Sequence, residues 1–404
     1  MRSALHGVTI RRMSKREGTP RLQGGTTENS GKADGRRSQP VDEVADTVAT
    51  EEQSQESAEA PHAVPSSELR RARELADELV AELAKVDEGD IVGEVILNAL
   101  KLLRDQTNRG DIKLINSSLK ELRYALKIFA PYRDVRKVSI FGSARTLETH
   151  DDYKQAAIFG KRMAGAGWMV ITGAGGGIMA AGHGGAGAEP SFGLAIRLPF
   201  EQATNPFIAN DPKLINSKYF FTRKLMFVRS SHAIALFPGG FGTMDEGFEV
   251  LTLVQTGKCV PMPIVFVDRP GGDFWASWQE YVESHLLASK LISPEDLHLY
   301  KITDNIEDAV DEVTKFYRNF HSVRYTRNEI VLRLQHKPTE EQLDVINTRF
   351  ADIKPRGAFR ATGPLPVERD EPALNNLHRL AFPFNRRDHG KLRMLIDYLN
   401  ELPG

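Results

Sequence analysis

The sequence predicts an α/β protein. A doubly wound parallel sheet forms its centre, a helical arm precedes it and a small α+β domain follows it. Three observations predict this. From Val135 onward, short β-rich apolar runs alternate with stretches of helical periodicity, the pattern of parallel strands joined by crossover helices. Three of the runs end in glycine turns, FGS at 141–143, TGAGGG at 172–177 and PGGFG at 238–242. Open parallel sheets bind their ligands at such strand ends. The chain has 404 residues, 41% of them hydrophobic, enough to bury a sizeable core.

Residues 1–66 are rich in Gly, Ser, Thr, Gln and charge. They cannot bury enough apolar surface to offset chain entropy and are expected to be disordered. RRMSKR is basic, whereas VDEVADTVATEEQSQESAEA has no Lys or Arg. A solvated leader fits this better than an interaction tail. Residues 67–132 form the arm. ELRRARELADELVAELAKVD, with Leu69, Leu75, Leu79 and Leu83, then DIVGEVILNALKLLRDQ and DIKLINSSLKELRYALKIFAPY, read as three amphipathic helices.

Residues 133–325 form the sheet domain. VRKVSIF, WMVIT, FGLAIRLPF, SHAIALF and MPIVFVD are its strands, and DDYKQAAIFGKRMAGAG is a helix closed by glycines. Residues 326–404 form the appendage. EIVLRLQ, TEEQLDVINTRFADI, GAFRATG, LHRLAFPF and DHGKLRMLIDYLNEL give the order βαββα. No chemical motif marks it, so regulation, dimer packing or a structural cap are its available roles.

The bulk properties narrow the classes of function. A net charge of −1 gives no argument for nucleic acid or a membrane surface. One cysteine, Cys259, permits no internal disulfide framework, and it reads as an inert buried thiol. No apolar run is long enough to span a bilayer, and the Arg-rich N-terminus lacks a secretory apolar core. A cytoplasmic protein is expected. His183 and His232 lack metal-ligand spacing and are assigned structural roles. Trp275 and Trp278 read as core or interface.

Two glycine motifs carry the chemistry. In TGAGGGIMAAGHGG, a glycine cluster after a strand lets backbone N–H groups approach a phosphate. It fits a dinucleotide fingerprint poorly. Ile178 stands at the third position of one frame, and the expected acidic residue after the next strand is missing, with Arg197 there instead. No P-loop motif occurs. In PGGFGTMDE, Gly239, Gly240 and Gly242 free the backbone to curl around an anion. Thr243 and Glu246 have the spacing of a capping box. Two roles for Glu246 stay open: the cap and the chemistry. Upstream, Arg223 and Lys224 precede the strand that delivers this turn, and an Arg at a strand-end crevice can hold a phosphate bidentately.

Taken together, FGSAR, GAGGGIM, LPFEQ, FFTRK and PGGFGTMDE resemble the LOG family, the cytokinin-activating phosphoribohydrolases and their bacterial nucleotide-hydrolysing relatives. The likeness runs from about Val138 to Phe316. It implies a Rossmann-like sheet, dimers, no cofactor, and hydrolysis of a nucleoside 5′-monophosphate to free base and ribose 5-phosphate. By position it implies catalysis by Arg223 and Glu246. It implies phosphate and substrate contacts at Gly239, Gly240, Phe241, Gly242, Thr243, Met244 and Asp245, with Lys224, Gly142, Ser143, Gly173 and Gly175 beside them. Glu201 would face the sugar or base. Two departures stand out. Ala174, Gly176 and Ala180 replace Gly, Pro and Glu of the family's first glycine motif, and Asp245 replaces a Glu of plant-type members. The lysine decarboxylase label that some relatives carry finds no support, because no segment suggests a Schiff-base lysine with a pyridinium partner. A nucleotide- or pterin-carrying protein without turnover is the alternative, and retention of both Arg223 and Glu246 favours the enzyme.

Overall fold

Seven parallel strands form the central sheet of the computed structural model, which describes residues 66–198 and 203–403. They are β1 (Lys137–Phe141), β2 (Met169–Thr172), β3 (Ser191–Ile196), β4 (Leu214–Ser217), β5 (Ala233–Leu236), β6 (Ile264–Val267) and β7 (Lys301–Thr303). Their order across the sheet is β4-β3-β2-β1-β5-β6-β7. Strands buried on both faces read as continuous apolar runs, and β1, β2, β5 and β6 are buried throughout.

Helices cover both faces. On one, α4 (Asp151–Gly165), α5 (Ile178–Ala186) and α9 (Ile306–Lys315) place Phe159, Met163, Ile178 and Val313 against Val138, Ile140 and Val265. On the other, α3 (Arg109–Phe129), α6 (Phe220–Ser230), α7 (Phe241–Gln255) and α8 (Phe274–Tyr281) place Phe129, Phe227, Val250 and Trp275 against Ile171, Phe192, Leu236 and Phe266. Trp275 is a core residue, its indole N–H donating to the Val267 carbonyl at 3.2 Å. Strand order reverses between β1 and β5, so their carboxyl ends diverge into the crevice that ligands of this architecture use.

The arm begins with α1 (Ser66–Leu83) and α2 (Gly89–Arg104), which pack on each other. Helix α3 lies on the sheet domain, burying Ala125 and Phe129 there. The turn between α3 and β1 is closed by the buried Lys137 ammonium, which donates to the carbonyls of Tyr132 at 2.5 Å and Val135 at 2.6 Å.

The C-terminal domain holds an antiparallel sheet in the order β10-β11-β9-β8. Its strands are β8 (Phe320–Tyr325), β9 (Ile330–Leu334), β10 (Arg360–Thr362) and β11 (His378–Phe382). Helices α10 (Glu340–Arg349) and α11 (His389–Glu401) cover one face through Ile346, Leu392 and Ile396. The sheet starts earlier in the chain than the βαββα pattern places it, because β8 is a half-exposed edge strand, FHSVRY, without an apolar run. The leader expected before Ser66 lies outside the described residues. Among the described residues no helix is long and apolar enough to cross a membrane.

Candidate active site

Three strand-end turns converge at the β1–β5 crevice. The first two are locked together: the Phe237 N–H donates to the Phe141 carbonyl at 2.8 Å, and the Ser143 N–H to the Pro238 carbonyl at 3.1 Å. Gly239 passes so close that a Cβ there would lie 2.1 Å from Thr243 Oγ1 and 2.9 Å from the Ser143 nitrogen. The third turn is held from Gly177, whose φ of +57° is a left-handed conformation that glycine adopts at no steric cost. The following Ile178 N–H donates to the Ser143 carbonyl at 3.0 Å. Together the turns floor a cavity of about 570 Å³.

The capping box does not form. Helix α7 starts at Phe241, with Gly240 as its N-cap and no side chain capping it. The Thr243 N–H bonds back to the Gly240 carbonyl at 3.0 Å. Two glycines around Phe241 let the helix begin three residues before the spacing suggests. Glu246 therefore sits in the second turn of α7, only 4% exposed, with its side chain lining the cavity.

Arg223, from α6, faces it. The guanidinium Nη2 stands 3.8 Å from Glu246 Oε1, too far for a hydrogen bond. The Arg223 Nε is buried and has no hydrogen-bond partner among the described residues. Burial raises the Glu246 pKa to about 7, against the opposing pull of Lys224 and Arg223. Burial likewise lowers that of Arg223. Desolvation outweighs attraction on both sides, so the pair is under-satisfied, the condition in which titratable groups mark functional clefts.

Of the residues singled out in the sequence, Gly142, Ser143, Gly173, Arg223, Gly240, Phe241, Gly242, Thr243 and Glu246 line this cavity. Gly175 lines an adjoining lobe of about 430 Å³ with Arg197, Thr204 and Asn216. Gly239 faces a shallower hollow on the far side of the turn. Lys224 is committed elsewhere, to Asp245 at 2.7 Å and Glu249 at 2.8 Å. Asp245 turns to that lysine, and Met244 packs into the core. Glu201 lies outside the described residues.

Further residues shape the site without having been singled out. Met179, Ile196, Leu198, Phe220 and Phe227 give the cavity its apolar wall, and Arg145 stands at its mouth. Glu121, from the arm, holds the start of α6. Its Oε1 accepts from the Lys218 N–H at 3.0 Å and its Oε2 from the Thr222 hydroxyl at 2.6 Å. No side chain of the N-cap residue Tyr219 does this. His183 is structural: its Nε2 donates to the Phe192 carbonyl at 3.0 Å, leaving Nδ1 to accept from Asn205 at 3.2 Å. Asn205 in turn holds the Gly175 carbonyl at 3.0 Å. Among the described residues no group of three or more His, Cys, Asp or Glu is placed to hold a metal.

A family model described as "Possible lysine decarboxylase" matches residues 176–313. A cytokinin riboside 5′-monophosphate phosphoribohydrolase of Mycobacterium tuberculosis is 30% identical over 159 residues, which cover 38% of this chain and 81% of that protein. Among solved structures, the molybdenum cofactor binding protein of Rippkaea orientalis is 18% identical, with 45% of this chain and 94% of that one covered and a TM-score of 0.32. The molybdenum cofactor carrier protein of Chlamydomonas reinhardtii is also 18% identical, covers 45% of this chain and 97% of its own, and gives a TM-score of 0.32.

Proposed function

We propose that this chain, which belongs to the LOG family, hydrolyses the N-glycosidic bond of a nucleoside 5′-monophosphate, AMP or a cytokinin-riboside-like monophosphate, to free base and ribose 5-phosphate. The observation that carries the reading is the buried, under-satisfied pair Arg223 and Glu246 beside the N-terminus of α7. The first N–H groups of a helix have no partner within it, and those of α7 suit the 5′-phosphate. Fixing the phosphate places the sugar over Glu246.

Departure of the base leaves an oxocarbenium-like sugar, as in glycoside hydrolysis. The Glu246 carboxylate stabilises that cation and orients the attacking water. The water oxygen bonds C1′ as the C1′–N bond breaks. Glu246 takes one water proton, and the released base gains one overall. Arg223, shared by the cavity and its adjoining lobe, offsets negative charge developing on the base.

The test is release of adenine from AMP by the purified protein. Glu246→Gln is expected to lower kcat by at least about 100-fold, the usual share of a positioned base. Because the carboxylate is the working form, wild-type kcat/KM should rise as pH climbs through about 7 and then level off. A profile flat from acid to neutral pH would remove Glu246 from this role. Tight AMP binding with no adenine released would leave a carrier instead.

Phe220 and Phe241 line the cavity and are exposed, Phe241 to 96%, and Phe221 and Leu225 of α6 and Phe248 of α7 are exposed as well. Exposed apolar side chains on the two helices that flank the cavity support a homodimer in which a second copy covers them. Sedimentation of the protein as a monomer at micromolar concentration would exclude that assembly.

A further inference from the structure

We propose that Arg145 is the residue by which this site selects phosphorylated substrates, gripping the 5′-phosphate beside the N-terminus of α7. The proposal rests on the hydrolase reading for the identity of the ligand. Its geometry stands on the cavity itself. Arg145 lines that cavity together with Gly240, Phe241, Gly242 and Thr243, the first residues of α7 and its cap.

The backbone beneath Arg145 is fixed. Its N–H donates to Ser143 Oγ at 3.1 Å. Ser143 is bonded in turn to Pro238 at 3.1 Å and to Ile178 at 3.0 Å, so the turn is clamped between the other two glycine turns. A Cβ on Gly177 would lie 2.2 Å from the Ser143 carbonyl oxygen, which shows how closely they press.

The side chain, by contrast, is exposed, and among the described residues it makes no ion pair within 4.0 Å. The other cations nearby are placed differently: Arg197 lines the adjoining lobe. Arg223 faces Glu246 at 3.8 Å, and Lys224 is held by Asp245 at 2.7 Å and Glu249 at 2.8 Å. A free guanidinium beside the positive end of a helix is an arrangement of like sign. A phosphate dianion resolves it, accepting the helix N–H groups on one side and a bidentate guanidinium on the other. A rigid turn carrying a free planar fork also loses little order when the anion arrives. A nucleoside without its phosphate forgoes all of this, so Arg145 discriminates nucleotide from nucleoside.

The experiment measures binding of AMP, adenosine and ribose 5-phosphate to the full-length protein by calorimetry. Wild type is compared with Arg145→Ala and Arg145→Lys, and turnover of AMP is measured alongside. The loss of one charge-assisted hydrogen-bonding group predicts AMP and ribose 5-phosphate binding weaker by about 10- to 100-fold in Arg145→Ala. Adenosine binding is expected to stay unchanged, and Arg145→Lys to recover part of the loss. Unchanged AMP affinity in Arg145→Ala, or an equal loss for adenosine and AMP, would overturn the proposal. So would failure of the wild type to bind ribose 5-phosphate. A wild type that binds ribose 5-phosphate but frees no adenine would overturn the hydrolase reading and leave Arg145 its anion. Normal turnover with an unchanged KM in Arg145→Ala would overturn Arg145 alone.

Discussion

The helical arm and the C-terminal domain both rest on the helices that carry Arg223 and Glu246, but at opposite ends. The arm meets α6 at its first turn, where Glu121 holds Lys218 and Thr222, the latter adjacent to Arg223. The C-terminal domain meets α7 just past its last residue. There a Cβ on Gly257, at φ +68°, would lie 2.4 Å from the His389 ring, about 15 Å along the helix from Glu246. The arm's contact near the site consists of two hydrogen bonds from one carboxylate. The C-terminal domain's contact is broad. Asn400 Nδ2 donates to the Phe316 carbonyl at 2.6 Å, Lys391 pairs with Glu295 at 3.4 Å, and α11 lies against residues 294–299. A narrow polar contact next to a catalytic residue can set geometry. A broad contact far from it sets stability. The two appendages should therefore fail differently when damaged.

The largest effect is expected in the C-terminal domain and should be one of stability alone. On the sheet face away from α10 and α11, Arg333 and Arg379 are buried, with side-chain exposures of 3% and 0%. Both are held by Glu368, itself 1% exposed, at 2.7 and 3.1 Å. Glu368→Ala leaves two buried guanidinium groups short of their counter-charge. Breaking a buried pair by removing one partner costs about 3–5 kcal/mol. Chemical denaturation should show that loss, with kcat per folded molecule unchanged. A fall in kcat at temperatures where the variant stays folded would break the comparison, because the domain would then reach the site.

How much of this was legible in the sequence follows the same division. The strands β1, β2, β5 and β6 are buried on both faces, so their apolar runs declare them. Strand β4, LINS, is buried only at alternate positions, and β7 has three residues, so neither shows an apolar run. The glycine turns were visible because a strand followed by clustered glycine has few other uses. Glu246 was half legible. Its type and place in PGGFGTMDE were right for a site, but its spacing from Thr243 imitates a cap, and only the earlier helix start separates the two. Ala174 sits at φ +62°, and a residue type alone does not report a dihedral. Arg145 stood in view within FGSAR, but a single Arg after a strand reads as solvated until the turn beneath it is seen to be clamped. Glu121 gave no signal at all. An acid on an amphipathic helix reads as a solvent-facing charge, and its partners lie about a hundred residues away in the chain.

The smaller effect belongs to that same Glu121, and it should fall on activity. Glu121→Ala removes the acceptors of one backbone N–H and one hydroxyl at the start of α6. Losing such bonds at a partly solvated site costs about 1–2 kcal/mol of stability. The larger consequence is positional, since Arg223 follows Thr222 directly and misplacement of a catalytic group is felt steeply in rate. A fall in kcat of about 10-fold, equivalent to ~1.4 kcal/mol of barrier, is expected, with KM little changed. Glu121→Gln keeps one acceptor oxygen and should recover part of it. A mere loss of packing would not behave in this way, and a double-mutant cycle separates the two. In an Arg223→Ala background, Glu121→Ala should slow turnover no further, because the residue it positions is gone. If the two losses simply add, Glu121 is a structural clasp and the arm, like the C-terminal domain, serves stability alone.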